Sequence, residues 1–395
     1  MKAGIVQKIF CDHFEVYQCK HSVSERERWA AWNMMTCRTA EQGYHVDACP
    51  EGHYRIILIN SCKHRSCPQC GVMETEIWLE RRRLQTLACR YFHIVFTISH
   101  ELHVIWRRNR KRFTDLMFRA AWHTLRELLA DLRWLGALPG AIGVFQSWDD
   151  EMQEHCHLHF IVTAGGLNLE GQWVEADRDF LLPTAVLAAK FRGKFLSYLR
   201  KWFNTLSVGG VKAEDQVLGG STGMSVQQCL NLLNKLGRMK WHVEIEPSYE
   251  HANGVYKYLG RYLRRGPISE KRIVGYDGEN VTIAYAHPEK HGERIFRLKS
   301  ETFIERLLSH VPEKGTHVVR AYGLFHPNCL GKLNDARAQL GQPAYEPLTE
   351  LPHAHELLQR MFPDWGANRC PLCGRVLRTV EVYYRCQAPP LRMAA

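Results

Sequence analysis

The stretch ACPEGHYRIILINSCKHRSCPQCG, residues 48–71, constrains the fold of this chain more than any other. Cys67 and Cys70 have CxxC spacing, which lets both thiolates of one tight turn bind a single zinc ion. Cys49 and His53 supply a second pair of soft ligands, and the strand-like RIILIN between the two pairs is typical of a zinc ribbon. We therefore predict a closed, tetrahedral structural zinc site with these four ligands.

The cysteine count leaves the ligand set open. The chain has 14 cysteines, and in a reducing compartment a cysteine cluster indicates a metal site rather than disulfides. Some cysteines are equally expected as small buried hydrophobic residues. Cys62 is the alternate ligand of the first site. Further residues could substitute there or form a second site: Cys37, His45, Cys62 and His64.

A second CxxC pair, Cys370 and Cys373, lies near the end of the chain. The candidates for its remaining ligands are Cys386, Cys329 and His326. We predict a second, smaller zinc element here, although a CxxC pair with scattered partners is also compatible with a redox or purely structural role.

Composition favours a polyanion as partner. The chain of 395 residues carries a formal net charge of +11 and has a pI near 9.0, which attracts nucleic acid. Since no run of 18 apolar residues and no secretory signal is visible, we expect no membrane association. The expected location is the bacterial cytoplasm, in association with the nucleoid.

Apolar periodicity predicts an α+β fold, because strands and helices are mixed without regular alternation. The predicted strands are 93–99, 141–148, 156–162, 241–247 and a group within 272–297, and the predicted long helices are 108–135 and 188–206. We divide the chain into a zinc-binding segment (1–92), a central domain (93–325, with a surface loop at 207–225) and a C-terminal region (326–395).

His157 and His159 lie in the predicted strand CHLHFIV. Side chains two residues apart on a strand point to the same face, so both imidazoles project together while Leu158 and Phe160 face the core. Two neutral imidazoles in this arrangement can bind one divalent cation. A bare HxH pattern is nevertheless more typical of ordinary strand-surface histidines, and alone it decides nothing.

Tyr258 and Tyr262 stand four residues apart in GVYKYLGRYLRRGP. On a helix this spacing places both rings on one face, about 6 Å apart. Such a pair is usually part of an apolar stripe that faces the core. Here Arg261, Arg264 and Arg265 lie beside the tyrosines, and this suits a surface that contacts phosphates better than a core.

In combination and order, these motifs resemble the two-tyrosine HUH transposases of rolling-circle insertion sequences, the group named after insertion sequence ninety-one. The motifs are FTIS at 96–99, His157-Leu158-His159 and Tyr258-x3-Tyr262. Flanking segments also match: SCKHRSCPQCG, the GGL after the histidine strand, FRGKFL, and YLGRYLRR followed by GPIS. The likeness spans about residues 25–375. It departs from the family at CPEGH, where the family has CPxCG, so His53 stands in place of a cysteine.

The resemblance implies an HUH-type nuclease domain with a central antiparallel sheet flanked by helices. It implies a DNA transposase that nicks and rejoins single-stranded DNA through 5′-phosphotyrosine intermediates, with Tyr258 and Tyr262 as nucleophiles. Its substrates would be the ends of its own mobile element and a target DNA. Tyr256 lies off the face of the other two tyrosines and is a weaker candidate.

The resemblance also implies a Mg²⁺ or Mn²⁺ ion held by His157 and His159, with a third ligand from the neighbouring strand or turn. We expect Asp150 as this ligand. The other candidates are Asp149, Gln146 and His155. The basic helix at 188–206 is expected to contact DNA phosphates. Its cationic residues are Lys190, Arg192, Lys194, Arg200 and Lys201.

Three other functions are compatible with parts of this pattern. A plasmid replication initiator or relaxase shares the histidine pair and the tyrosine chemistry, but the N-terminal cysteine block and the lack of a GxxxxGK[ST] helicase signature favour the transposase. A non-catalytic, zinc-containing DNA-binding regulator would need no tyrosine nucleophile. A zinc hydrolase is disfavoured because the chain lacks an HExxH-like element.

Overall fold

Helices and antiparallel strands make up the fold in the computed structural model, which describes residues 4–176, 180–208, 223–249, 266–286, 292–348 and 369–385. The helices are α1 (Ile5–Lys20), α2 (Glu25–Thr36), α3 (Val72–Gln85), α4 (His103–Arg108), α5 (Arg110–Leu129), α6 (Thr184–Val208), α7 (Val226–Gly237), α8 (Ser300–Ser309) and α9 (Leu330–Gln339). The strands are β1 (Gly43–Ala48), β2 (Arg55–Ile59), β3 (Tyr91–Thr97), β4 (Leu138–Trp148), β5 (Glu154–Leu167), β6 (Trp173–Glu175), β7 (Val243–Tyr249), β8 (Ile273–Tyr276), β9 (Asn280–Ala286), β10 (Glu293–Lys299), β11 (Val319–Gly323) and β12 (Arg378–Tyr384).

The central antiparallel sheet has the strand order β11-β4-β5-β3-β7, with β6 added beside β5. Alternate residues of its strands, such as Phe96, Leu158 and Phe160, form one apolar face. Helices α5, α6 and α7 bury this face, because their apolar residues recur every three or four positions. The intervening residues, including His157 and His159, therefore project from the opposite face.

The N-terminal helices pack against a distant part of the chain. Helix α2 begins with a capping box formed by Ser24 and Glu27, in which two otherwise unpaired backbone N–H groups are satisfied. Apolar residues of α1 and α2, such as Phe10, share one core with the three-stranded sheet β8–β10 and with Phe303 of α8. The core of the predicted segment 1–92 thus continues into residues 268–311 rather than forming a separate unit.

The C-terminal strand β12 pairs with β1, giving a second three-stranded sheet of order β12-β1-β2. Tyr44 and Tyr383 stand opposite each other in this pairing, and their rings stack at 4.5 Å between centroids. The predicted C-terminal region 326–395 therefore contributes its last strand to the N-terminal sheet.

The α+β class and the main predicted elements are confirmed: the strands near 93, 141, 156 and 241, the strand group after 272 and both long helices. Helix α1 is not among the predicted elements, although its buried residues recur at helical spacing. Residues 209–222 of the predicted loop lie outside the described residues. Within the part of the chain that the structure describes, no helix combines the length and the apolar character needed to cross a membrane.

His310, directly after α8, forms hydrogen bonds to Ser147 and Met152, and its burial makes the stability of the fold depend on pH. Ser147 donates to its Nδ1 at 3.1 Å, and its Nε2–H donates to the carbonyl oxygen of Met152 at 2.9 Å. Burial lowers the pKa of His310 to about 4, against about 6.5 in an unfolded chain. The contribution of neutral His310 to the free energy of unfolding is complete above pH 6.5. It is lost as the pH falls toward 4, because His310 then binds a proton in the unfolded chain but not in the folded protein.

We expect His310→Gln to reduce the pH dependence of stability. Glutamine can keep both hydrogen bonds without titrating. Between pH 7.5 and pH 5.0, the free energy of unfolding of the wild-type protein should fall by about 2 kcal/mol more than that of the variant. Urea denaturation at the two pH values measures this difference. Equal losses in the two proteins would contradict the assignment.

Candidate functional site

The β4–β5 hairpin brings three polar side chains together on the sheet face opposite α5 and α6. Gln146 stands opposite His157 in the ladder, and His159 follows two residues later on β5. Gln146 Oε1 lies 2.9 Å from His157 Nε2 and 2.9 Å from His159 Nε2. All three side chains are buried. The structure therefore joins the two predicted histidines and adds Gln146 to them.

Hydrogen bonds behind the two imidazoles determine which ring nitrogens carry protons. His157 Nδ1 lies 2.7 Å from the carbonyl oxygen of His155, which can only accept, so this nitrogen holds the proton and Nε2 has a free lone pair. Burial lowers the pKa of His157 to about 4 and that of His159 well below its usual range. Both rings are neutral at pH 7, the form that binds metal ions.

The donor set of this site suits a divalent cation. Two imidazole lone pairs and an amide oxygen converge, and the buried Nε2 of Gln146 has no hydrogen-bond partner in the described structure. Mixed nitrogen and oxygen donors are compatible with Mn²⁺ and with softer metals, whereas Mg²⁺ prefers oxygen alone.

Asp150, the predicted third ligand, lies in the turn between β4 and β5, where it is exposed. Two groups of His, Cys, Asp or Glu side chains among the described residues bring three or more ligand atoms within 4.8 Å of one another. Both groups contain cysteines, and neither includes Asp150. The structure thus favours Gln146, which the hairpin register places directly opposite His157.

His93 and Glu246, which are not among the predicted site residues, stand behind the histidine pair. His93 Nε2 lies 2.9 Å from His159 Nδ1, and His93 Nδ1 lies 2.8 Å from Glu246 Oε2. The hydrogen bond from His93 lowers the pKa of Glu246. The hydroxyl of Tyr249 also donates to Glu246 Oε2 and lowers this pKa further. Strand periodicity could have indicated that His93 shares a face with His159. Val95 is the ladder neighbour of His159, and His93 lies two residues before Val95 on the same strand.

The predicted nucleophiles lie outside the described residues. Residues 250–265 are not described, and they include Tyr256, Tyr258, Tyr262, Arg261, Arg264 and Arg265. The described chain resumes at Gly266, and its last strand before the gap, β7, is the edge neighbour of β3 in the sheet that carries the histidines.

The basic residues of α6 lie on the other side of the central sheet from the histidine pair, because α6 packs on the apolar face. Several of them are engaged within the protein. Lys190 and Lys194 pair with Glu127, Arg192 donates to the carbonyl oxygen of Met239, and Arg200 donates to Asn234 at 2.7 Å. Lys201 is exposed. We therefore do not include this helix in the candidate site.

The first cysteine cluster consists of Cys37, Cys62, Cys67 and Cys70, all buried. Cys37 follows α2, and Cys67 and Cys70 come from the turn before α3. The Sγ atoms of Cys62 and Cys70 are 3.6 Å apart, close to the roughly 3.8 Å expected between thiolates bound to one tetrahedral zinc ion. Hydrogen bonds from Cys62 and the other two thiols lower the pKa of Cys37, which favours the thiolate form.

The second cluster unites Cys49 and His53, in the β1–β2 connection, with Cys370 and Cys373, before β12. Cys49 Sγ lies 3.5 Å from Cys373 Sγ and 4.0 Å from His53 Nδ1. The predicted combination of Cys49 and His53 with Cys67 and Cys70 is therefore wrong, because β1–β12 pairing brings a different CxxC pair to the ribbon turn.

Of the other zinc candidates within the described residues, Cys37 and Cys62 belong to the first cluster, whereas His45, His64, His326 and Cys329 belong to neither cluster. Cys62 is a member of the first cluster rather than an alternate to its ligands. His45 contacts Asn60 at 3.3 Å. His64 is half-buried next to the first cluster, and desolvation lowers its pKa to about 4. His326 caps the short 3-10 turn that contains Cys329. Cys386 lies outside the described residues.

Comparison with known proteins identifies the family. Residues 140–332 match the family model described as "Putative transposase", and residues 9–98 match the one described as "Transposase zinc-binding domain". A protein of Sinorhizobium fredii named "Putative transposase y4qJ" is 33% identical over 98% of this chain and 97% of its own length. The chain belongs to the insertion-sequence-ninety-one (IS91) transposases.

A second relative of this IS91 transposase is the "Transposase for insertion sequence element IS801" of Pseudomonas savastanoi pv. phaseolicola. It is 25% identical over 85% of this chain and 78% of its own length. No solved structure matches. The "Transposase zinc-binding domain" match contains the whole first cluster and half of the second, and together they support structural zinc in this transposase.

Proposed function

We propose that this transposase cuts and rejoins single-stranded DNA by tyrosine attack at a divalent-metal site formed by His157, His159 and Gln146. The observation that supports the proposal is the convergence of the Nε2 atoms of His157 and His159 on the side-chain amide of Gln146, with 2.9 Å from Gln146 Oε1 to each.

His157, His159 and Gln146, which lie on one face of the hairpin, would hold the cation from the protein side. A divalent cation bound there would act as a Lewis acid that polarises the scissile phosphate. The protein keeps both histidines neutral by burial and fixes their tautomers through backbone and side-chain acceptors. The ligands are thus preorganised before DNA binds.

The proposed nucleophiles are Tyr258 and Tyr262, which follow β7 in sequence. In cleavage, a phenolic oxygen forms a bond to phosphorus, its proton passes to solvent, and the 3′ oxygen departs as a hydroxyl. The phosphotyrosine retains the energy of the cleaved phosphodiester, so rejoining requires no ATP. Two nucleophiles allow one to hold a cut end while the other attacks a second strand.

A covalent-adduct experiment tests this function. The zinc-loaded protein is incubated with Mn²⁺ and a labelled single-stranded oligonucleotide from the ends of its own element, and adducts are separated on a denaturing gel. We expect adducts with the wild-type protein and none with Tyr258→Phe/Tyr262→Phe, because phenylalanine lacks the attacking oxygen. Tyr384→Phe, at a tyrosine that is 88% exposed on β12, is the control and should form adducts normally.

The outcomes separate the alternatives. A regulator without catalysis would form no adduct with any variant and would bind the oligonucleotide equally well after the tyrosine substitutions. Adducts that persist in the double variant would place the nucleophile elsewhere and contradict the proposal.

A further inference from the structure

A row of three side chains crosses adjacent strands on the face that carries the candidate metal site. β5, β3 and β7 are neighbours in the sheet, and they present His159, His93 and Glu246 in that order. The two contacts along the row are 2.9 Å from His159 Nδ1 to His93 Nε2 and 2.8 Å from His93 Nδ1 to Glu246 Oε2. His93 is completely buried, whereas the side chain of Glu246 is 34% exposed.

The carboxylate at the end of the row determines where the protons lie. An ionised Glu246 can only accept hydrogen bonds, so His93 donates through Nδ1–H. His93 Nε2 then carries a lone pair and accepts from His159 Nδ1–H. The consequence is that His159 presents an unprotonated Nε2 toward Gln146 Oε1. Each hydrogen bond in the row thus sets the direction of the next.

We propose that His93 and Glu246 are positioning residues that fix the tautomer and ring orientation of His159 as a metal ligand and increase its basicity. This inference rests on the proposed function, since it concerns the same metal site. Neither residue approaches the reacting phosphate in this scheme. They act through His159, as hydrogen-bonded carboxylates behind metal-binding imidazoles do in general.

Metal affinity, measured without turnover, tests the inference. The parent protein is zinc-loaded Tyr258→Phe/Tyr262→Phe, titrated with Mn²⁺ by calorimetry and by electron paramagnetic resonance. We expect His93→Phe to raise the Kd for Mn²⁺ about 10- to 100-fold and Glu246→Gln to raise it about 3- to 10-fold, because outer partners of metal ligands have effects of this order. Adding Glu246→Gln to His93→Phe should change Kd no further, since Glu246 acts only through His93.

Glu244→Gln is the matched control. Glu244 lies two residues from Glu246 on β7 and is the ladder partner of Val95, and its side chain is 59% exposed. We expect this variant to keep the parental Kd. Because Glu246 is at the surface, Glu246→Gln should also keep the thermal midpoint of the metal-free protein, so a defect in folding would not explain a change in affinity.

Rescue by metal gives a second readout. In the protein with intact tyrosines, saturating Mn²⁺ should restore adduct formation by Glu246→Gln to within about threefold of wild type, with an unchanged KM for DNA. A structural defect would not respond to the metal concentration.

The two proposals fail in different ways. If His157→Ala/His159→Ala bound Mn²⁺ as tightly as the parent, the proposed metal site itself would be refuted. If that variant lost Mn²⁺ binding while His93→Phe and Glu246→Gln kept the parental Kd, only the positioning role would be refuted. Additive losses in the His93/Glu246 double variant would likewise overturn the serial arrangement.

Discussion

Replacing His157 and His159 together by alanine is expected to slow covalent adduct formation by about 10³-fold or more. The expected loss corresponds to about 4 kcal/mol of transition-state stabilisation, the size attributed to a Lewis-acidic cation at a phosphate. Binding of the oligonucleotide by the zinc-loaded protein without added Mn²⁺ should remain near the wild-type level, because contacts to the phosphate backbone dominate that affinity. Single-turnover adduct formation in Mn²⁺ and fluorescence anisotropy of the zinc-loaded protein without added Mn²⁺ measure the two quantities.

His155→Ala provides the control for this result. His155 is exposed on the same strand, and it supports His157 through its backbone carbonyl oxygen, which alanine retains. We expect this variant to form adducts at nearly the wild-type rate. Gln146→Leu, which removes the amide oxygen but keeps the shape, should fall between the control and the double variant. Wild-type rates for His157→Ala/His159→Ala would rule out catalysis at this site.

Removing one ligand of the first zinc cluster is expected to unfold much of the protein. Cys67 is completely buried, and its cluster lies in the core shared by α1, α2, α8 and the β8–β10 sheet. A structural zinc ion contributes about 10–16 kcal/mol in small domains, which is as large as the total stability of a typical protein. Cys67→Ser should therefore be insoluble or melt at a much lower temperature than wild type.

Cys373→Ser is the matched substitution in the second cluster, where Cys373 is exposed. We expect it to reduce zinc content from two ions to one, consistent with the two clusters, and to leave the central sheet folded. Its effect should be local, with faster proteolysis between residues 369 and 385. Zinc content by mass spectrometry and thermal melting distinguish the two variants. A Cys67→Ser protein with two zinc ions and a wild-type melting temperature would contradict the assignment.

Local sequence patterns predicted the elements and part of the site. The two-residue period of β5 was sufficient to place His157 and His159 on one face, since this property depends only on backbone geometry. Gln146 was among the candidates for the third ligand, and a short turn at 149–153 sets the register that puts it opposite His157. Asp150 was preferred for its carboxylate, yet the register leaves it in the turn.

The zinc ligands could not be assigned from spacing because their partners are distant in sequence. CxxC spacing predicts that Cys67 and Cys70 act together, but it does not say which other pair meets them. Cys49 and Cys373 are separated by 324 positions, and only β1–β12 pairing brings them into contact. His93 and Glu246 were missed for a similar reason, since neither belongs to a recognisable motif and their significance depends on the strand order.

The pairing of β12 with β1 also has a consequence for synthesis of the polypeptide. A ribosome that adds about 5–20 residues per second needs roughly 15–65 seconds to proceed from Cys49 to Cys373. During this interval the nascent β1–β2 ribbon has an unpaired edge and half of its second metal site, a state prone to non-native strand addition. The β1 edge of the ribbon and its second metal site are therefore completed only after Cys373 and β12 have been synthesised.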